Sequence, residues 1–183
     1  MTDHQPLVDQ IPGLRRYARA LTGDPWAADD LVQDTLERAC SKWRLWLVGS
    51  DLRAWLFTVM HNLYVSQGRY RQRRPDLSMA QSLDDEDSGL PQAPGHDGGQ
   101  AQREQLMDLQ RCLLLLPEDQ RVVLLLVGLE EMSYADAAKI LKIPMGTVMS
   151  RLSRARARLA ELMEGSAVNA TMPADHSVVR RLR

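Results

Sequence analysis

Arginine is concentrated in two short stretches of this 183-residue chain. The first stretch places four arginines within six residues, beside Tyr70: they are Arg69, Arg71, Arg73 and Arg74. A cationic track with a neighbouring aromatic ring is typical of proteins that hold single-stranded nucleic acid, because arginines neutralise phosphates and rings stack on bases. A basic end of a helix also complements the helix dipole, so this pattern alone leaves both interpretations open.

The second stretch, Arg151 to Arg158, lies in a predicted helix with an apolar stripe along one face. Ser150, Ser153 and Arg154 fall opposite that stripe, and Arg151 falls on a flank. In a major groove, arginine donates to guanine edges or phosphates, and serine contacts backbone oxygens. A solvated surface helix would show the same pattern, so the arginines alone do not decide the function.

Acidic and amide side chains form a third cluster. They recur at i, i+3, i+4 and i+7 of a predicted helix: Asp30, Gln33, Asp34 and Glu37. This spacing puts all four on one face, away from the apolar stripe of the same helix. The face is either solvated surface, favoured near a helix N-terminus by the dipole, or a surface that docks another protein.

The sequence lacks the patterns of a catalytic or metal site. It has no glycine-rich phosphate loop, no nucleophile elbow and no HExxH motif. The two cysteines lie far apart, and His61 has no second ligand at metal-binding spacing. We therefore expect a protein that is not an enzyme and holds no metal ion or cofactor.

The sequence also lacks signals for export or membrane insertion. No run of residues is long and apolar enough to span a bilayer, and the first ten residues contain no apolar signal-peptide core. Two lone cysteines suit a reducing compartment. These features predict a cytoplasmic protein.

Composition divides the chain into two compact units. Residues 75–100 carry six acidic residues, no basic residue and three prolines, which predicts a flexible acidic linker. The net charge of −1 comes from that segment, since residues 1–74 and 101–183 are both mildly basic. We expect the second compact unit to cover residues 101–164, followed by a loose tail over 165–183.

The apolar periodicity predicts an all-α fold of two small helical domains. In the first unit we expect helices over Leu14 to Leu21, from Pro25 through Leu47, and from Asp51 onward. In the second unit we expect helices over Leu106 to Leu116 and from Pro117 to Gly128. The remaining segment, Ser133 to Leu159, has the short helix, three-residue break and longer helix of a helix-turn-helix.

The segment LPEDQRVVLLLVGLEEMSYADAAKILKIPMGTVMSRLSRARARL resembles the region-four domain of extracytoplasmic-function sigma factors. It contains Leu-Pro, Arg-x-Val, Ser-Tyr and Gly-Thr-Val-x-Ser-Arg-Leu-x-Arg-Ala-Arg in the order of that family. The resemblance implies that this unit binds the minus-thirty-five promoter element. The implied DNA-binding positions are Thr147, Met149, Ser150, Arg151, Ser153 and Arg154.

The first unit is similar to region two of the same family. The string DDLVQDTLERA resembles the helix that docks on the clamp coiled coil of core RNA polymerase, which assigns that role to the acidic face. The next helix, LRAWLFTVMHNLYVSQGRYRQRR, resembles the regions that trap the melted minus-ten element and a flipped base. The implied minus-ten positions are Trp55, Phe57, His61, Asn62, Ser66, Gln67, Arg69, Arg71, Arg73 and Arg74. The apolar stripe by itself predicts packing, rather than DNA contact, for Trp55 and Phe57.

Three residues depart from the family pattern. Ser66 stands where many members carry aspartate, and Met149 stands where a basic residue is usual. Lys142 stands where glycine commonly makes the turn, and a positive φ costs a non-glycine residue on the order of 1 kcal/mol, so we expect the turn to differ slightly from that of the family. These departures affect the expected promoter sequence rather than the expected role.

The resemblance covers residues 7–74 and 106–164 and implies an RNA polymerase sigma factor that directs promoter-specific, stress-responsive initiation. The implied partners are core polymerase, through its clamp coiled coil and its flap, promoter DNA and an anti-sigma factor. The alternative is a helix-turn-helix regulator that binds operators without polymerase. Such a regulator needs a sensing domain before the helix-turn-helix, and residues 1–74 are short and end in a basic stretch. A pure adaptor protein would not explain two arginine-rich helices.

Overall fold

The structure, a computed structural model, describes residues 5–43, 51–73 and 99–171. In chain order its α-helices are α1 (Gln5–Val8), α2 (Ile11–Thr22), α3 (Pro25–Ser41), α4 (Leu52–Arg73), α5 (Gln100–Leu114), α6 (Glu118–Leu124), α7 (Tyr134–Leu141) and α8 (Met145–Thr171). A π-helical segment, Leu125–Leu129, continues α6. These ranges contain no β-strand, and the predicted all-α fold is confirmed.

A glycine and an aspartate separate α2 from α3. Gly23 ends α2 with a φ of 75° and donates its N–H to the carbonyl of Arg19. Asp24 then caps α3, because its side chain accepts a 2.9 Å hydrogen bond from the backbone N–H of Trp26. Pro25 therefore opens α3, as the sequence predicts.

Tyr17 of α2 and Phe57 of α4 form the centre of the first unit. Their ring centroids lie 5.1 Å apart at an interplanar angle of 84°, and both side chains are buried. Leu14, Leu21 and Leu31 belong to the same apolar core. Burial raises the pKa of the Tyr17 hydroxyl well above its usual value.

The predicted helix-turn-helix consists of α7, a tight turn and α8. Ser133 caps α7 by accepting a 3.0 Å hydrogen bond from the backbone N–H of Asp136. Lys142 ends α7 with a φ of 56°, so it adopts the left-handed conformation that glycine favours at the end of a helix. The buried residues that join the two helices are Ala137, Ile140, Val148, Leu152 and Ala155.

Three predicted helix boundaries are wrong. The stripe predicted a helix through Leu47, but α3 ends at Ser41, because the backbone N–H of Lys42 bonds the carbonyl of Ala39 and closes the last turn. Pro117 is an extended cap rather than the first residue of α6. The predicted loose tail from Gly165 begins as helix, since α8 continues to Thr171. Apolar periodicity indicates which residues are buried, whereas a helix ends where its backbone hydrogen bonds stop. The two boundaries therefore need not coincide.

The predicted linker over 75–100 lies outside the described residues, apart from Gly99 and Gln100, where α5 starts. The predicted helix beyond residue 43 and the tail beyond residue 171 also lie outside them. Within the described ranges, no helix has the length and apolar character needed to cross a membrane.

The two helical units lie against each other. α4 packs on α7, and α2 packs on α5 and on the π-helical segment. A single cluster of buried side chains includes Leu14 and Phe57 of the first unit and Val122 and Leu126 of the second. The sequence predicts two units joined by a linker and does not indicate this contact.

Candidate polymerase and nucleic-acid interfaces

The acidic cluster lies on the solvent-exposed face of α3. Its four members are all exposed, whereas Leu31, Val32 and Thr35 on the other face are buried. The Nε2 atom of Gln33 donates a 3.1 Å hydrogen bond to Glu37 one turn further on. The face is thus a continuous polar strip of carboxylates and one amide: Asp30, Gln33, Asp34 and Glu37.

α4 runs beside this strip, and one hydrogen bond joins the two helices. The Nε2 atom of Gln67 donates to Oδ2 of Asp34 over 3.0 Å. A shallow cavity of about 220 Å³ lies at the same place, lined by Ala27, Asp30, Gln33, Asp34 and Gln67. The candidate docking residues and the candidate minus-ten residues therefore share a border.

The second half of α4 exposes short polar groups and arginine. Asn62, Ser66 and Arg69 are exposed, and the Ser66 hydroxyl donates a 2.7 Å hydrogen bond to the backbone carbonyl of Asn62. Arg71 and Arg73 belong to α4, but their side chains lie outside the described part of the structure, as does Arg74 altogether.

The two aromatic residues of the implied minus-ten set face inward. Phe57 is 1% exposed, so it cannot touch a DNA strand, and its inclusion among the contact residues is corrected. Trp55 is partly buried and packs against the core. Both residues hold α4 in place from inside, which agrees with the packing that the apolar stripe predicts.

His61 lies half-buried on the side of α4 that faces the second unit. It lines a cavity of about 210 Å³ together with Leu141 of α7, Arg151 of α8 and residues of α6. Burial lowers the pKa of His61, and the nearby positive charge of Lys142 lowers it further. Its buried Nδ1 atom has no hydrogen-bond partner among the described atoms.

The N-terminal half of α8 presents the predicted DNA-reading face. Met149, Ser150, Ser153 and Arg154 are exposed, and Thr147 is partly buried. The Nε atom of Arg154 donates a 3.2 Å hydrogen bond to the backbone carbonyl of Ser150, which holds the arginine along its own helix.

Arg151 differs from the other implied reading residues. Its Nε atom lies 3.2 Å from Oδ2 of Asp119 on α6, and its side chain is 29% exposed. The guanidinium is therefore already paired within the protein. Helical periodicity places Arg151 on a flank but cannot show a partner that belongs to another helix.

A further charged cluster was not predicted. The side chain of Glu130, which follows the π-helical segment, is 0% exposed and pairs with Arg16 of α2 and Arg53 of α4. We call these three residues the Glu130 cluster. The sequence contains one indication of this cluster: Glu130 directly follows a long apolar run, and burial is expected at such a position.

In the described ranges, no three His, Cys, Asp or Glu side chains are grouped so as to hold a metal ion. Cys40 is exposed, Cys112 is buried, and both are free thiols.

Comparison with known proteins identifies the family. Residues 106–159 match the family described as Sigma-70, region 4, and residues 7–61 match the Sigma2 domain of PhyR. The ECF RNA polymerase sigma factor EcfG of Rhodopseudomonas palustris is 39% identical over 84% of this chain and 80% of its own length. This chain belongs to the extracytoplasmic-function (ECF) sigma factors.

Other ECF sigma factors are also similar. SigM of Mycobacterium tuberculosis is 33% identical over 82% of this chain and 71% of its own length. Among solved structures, the sigma factor RpoE of Bartonella quintana, in complex with the anti-sigma factor NepR, is 38% identical. It matches with a TM-score of 0.71, over 87% of this chain and 95% of its own. The family predicted from the sequence is confirmed.

The ECF sigma factor fold recurs in a regulator. The structure of the PhyR stress response regulator matches with a TM-score of 0.53 and 28% identity, over 86% of this chain and 50% of that one. The arrangement of the two helical units is thus shared with a protein that is described as a stress response regulator.

Proposed function

We propose that this ECF sigma factor docks on core RNA polymerase through the acidic face of α3 and directs initiation by contacting two promoter elements. The hydrogen bond between Asp34 and Gln67 carries this proposal, because it joins the candidate docking face to the candidate minus-ten helix. Polymerase bound at α3 would then hold α4 at a fixed position beside the DNA.

In this proposal, α4 binds the unpaired strand of the minus-ten element. Asn62, Ser66 and Arg69 are exposed and can reach bases and phosphates, and Arg71, Arg73 and Arg74 extend the positive charge along the chain. Capturing a flipped base offsets the cost of unstacking it, roughly a few kcal/mol, so binding energy favours strand opening.

The exposed face of α8 reads the minus-thirty-five element in the major groove. Ser150, Ser153 and Arg154 supply the polar groups, and Met149 offers an apolar contact where a basic residue is usual. The polymerase flap is the proposed partner of the unit over 101–164, and residues 75–100 connect it to the unit over 1–74.

Such a protein acts by binding alone and makes or breaks no covalent bond. Its partners, polymerase and chromosomal DNA, place its action in the cytoplasm. The free cysteines suit the reducing conditions there.

Removing two charges from the docking face tests the proposal. The double variant Asp30→Asn with Glu37→Gln keeps the shapes of both side chains and should weaken binding to core polymerase at least about tenfold. Fluorescence anisotropy with labelled chain gives the affinity. The matched control, Glu104→Gln with Glu164→Gln, removes two exposed carboxylates elsewhere and should bind like the unmodified chain. Equal affinities for all three proteins would contradict docking through α3.

We also propose an anti-sigma factor as a partner, bound in a groove between the two units. The groove has a volume of about 950 Å³ and is lined mainly by apolar side chains of α2, α5 and the π-helical segment. Arg15, Arg16 and Arg19 lie along one side of it, where Arg16 pairs with Glu130 and the other two lie within ion-pair distance of Asp29. The apolar lining fits the apolar face of an amphipathic helix, and the similarity to a sigma factor solved with its anti-sigma factor supports such a partner.

The NepR protein of Bartonella quintana is a suitable probe for this groove. Leu106 lines the groove, and Leu106→Glu should weaken binding at least about tenfold in calorimetry, because it buries an unpaired charge. Leu115 is more exposed than Leu106 and lies outside the groove lining, so Leu115→Glu serves as the control. No binding to the unmodified chain, or equal losses for the two variants, would contradict this partner site.

A further inference from the structure

Two methionines are exposed on the helix that carries the candidate DNA-reading residues. Met145 is 48% exposed and Met149 is 44% exposed, whereas Val148 and Leu152 of the same helix are buried in the core. Residues four apart in a helix lie on the same side of it, one turn from each other. Met145 and Met149 therefore form a short apolar strip along the first turns of α8, which we call the methionine strip.

The methionine strip borders the polar residues of the reading face. Ser150 directly follows Met149, and Ser153 lies one turn after Met149 on the same side of α8. Both serines are exposed. Any surface that covers the two serines must therefore cover Met149 as well.

The charge around the strip indicates the kind of partner. Residues 142–158 contain one lysine, four arginines and no acidic residue. Asp119 and Glu161 pair with two of these arginines, and the surface remains positive. A positive surface attracts a polyanion such as DNA. The strip is thus an apolar contact within a surface that suits nucleic acid.

The major groove of DNA displays one apolar group on its base edges, the C5 methyl group of thymine. A methionine side chain is unbranched and adaptable, so it can pack closely against such a group. Base pairs are stacked about 3.4 Å apart, and one turn of α8 rises about 5.4 Å. The methionine strip therefore spans one or two base-pair steps.

We propose that the methionine strip sets a base preference within the minus-thirty-five element. Met149 packs against the C5 methyl group of a thymine, and Met145 shields this contact from water on the preceding turn. The inference rests on the proposed function, in which α8 lies in the major groove. It goes further by naming the base pair: an A·T pair, rather than the guanine that arginine or lysine at this position would favour.

Uracil provides the test, because it differs from thymine only in lacking the C5 methyl group. Polymerase that contains the unmodified chain is bound to a duplex from a promoter mapped by its transcript starts. Each thymine of the minus-thirty-five element, on either strand, is replaced in turn by deoxyuridine, and fluorescence anisotropy gives the affinity. At least one replacement should weaken binding about fourfold, the effect of withdrawing one buried methyl group.

Variants of the strip should change this difference between thymine and uracil. Polymerase with Met149→Ala should bind the two duplexes equally, because the partner of the methyl group is gone. Met149→Leu keeps an apolar side chain and should retain most of the difference. Met145→Ala should retain only part of it. Alanine and leucine both favour helix, and far-ultraviolet circular dichroism checks that helix content is unchanged.

Met107 supplies the matched control. It lies on α5 and is 44% exposed, as Met149 is. Met107→Ala removes an equally exposed methionine from outside α8, so the uracil duplex should still bind about fourfold more weakly than the thymine duplex.

Two results would overturn the proposal. The first is that uracil weakens binding at no position of the element. The second is an equal weakening by uracil in the unmodified chain and in Met149→Ala, because the methyl group would then act through DNA shape or another residue. A different result would refute the proposed function itself: polymerase with the unmodified chain would bind the promoter no more tightly than a duplex whose minus-thirty-five element is scrambled.

Discussion

Ser150 and Arg154 lie one turn apart on the exposed face of α8, and a hydrogen bond joins them. The arginine donates from Nε to the carbonyl of Ser150 and from Nη2 to the hydroxyl of the same serine, which holds it along its own helix. Arg151 lies on the flank of the same helix, and Asp119 of α6 pairs with it. The two arginines therefore differ in their readiness to contact DNA; the sequence shows their positions on α8 but not the pairing with Asp119.

Replacing Arg154 with alanine should weaken minus-thirty-five recognition. A bidentate contact between arginine and guanine contributes about 1–3 kcal/mol, so affinity for the element should fall by between about fivefold and 150-fold. Duplex binding by polymerase that contains the variant measures the change. Arg158→Ala, which removes an arginine paired with Glu161 further along α8, should have a much smaller effect. Similar losses for both variants would indicate that α8 contributes only general positive charge.

The half-buried position of His61 makes the free energy of unfolding depend on pH. Burial and the nearby charge of Lys142 lower the pKa of His61 in the folded protein, so protonation opposes folding. The facing groups are Glu118 and Asp119 of α6 and Arg151 of α8. The contribution of His61 to stability is complete above its ordinary pKa of 6.5 and is lost as the pH falls below that value.

Urea titrations at about pH 8 and at about pH 5.5 should therefore give a lower free energy of unfolding at the acidic pH. The variant His61→Gln should flatten this change, because glutamine does not titrate in that range. A profile that is identical for the variant and the unmodified chain would exclude His61 as the titrating group.

At the scale of helices, the sequence predicted most elements through their caps and apolar stripes. Gly23 with Asp24, and Ser133 with Asp136, provide local end signals, and the helix boundaries there agree with prediction. The end of α3 at Ser41 was not predicted, because an apolar stripe can continue past the residue where backbone hydrogen bonding stops. The π-helical segment was also not predicted, since its extra residue per turn leaves no distinct composition.

Lys142 provides a test of the turn between α7 and α8. A left-handed conformation costs a non-glycine residue roughly 1–2 kcal/mol, part of which glycine returns through its freedom in the unfolded chain. Lys142→Gly should therefore raise the free energy of unfolding by about 0.5–1 kcal/mol in urea titration. The measurement is best made near pH 8, where His61 is neutral and the loss of the lysine charge matters little.

The control for this prediction lies one turn earlier. Lys139 has helical conformation inside α7, so Lys139→Gly should lower the free energy of unfolding by about 1 kcal/mol. A decrease for Lys142→Gly as well would mean that the lysine side chain stabilises the turn more than its φ destabilises it.

At the scale of the whole molecule, the sequence predicted the surfaces but not their arrangement. The acidic face of α3 and the polar face of α8 depend on spacing within one helix, which the sequence records directly. The Glu130 cluster joins residues 114 and 77 positions apart, and no local pattern links them. The burial of Phe57 agrees with its apolar stripe, although the family resemblance had placed it among the DNA contacts.

Mapping transcript starts tests the central claim most directly. The purified chain is added to core RNA polymerase and genomic DNA, and the 5′ ends of the transcripts are sequenced. The account predicts new starts, absent with core polymerase alone, that share two upstream elements separated by about 25 base pairs, and loss of these starts with Asp30→Asn and Glu37→Gln together. Starts that match those of core polymerase alone, or starts without shared upstream elements, would contradict it.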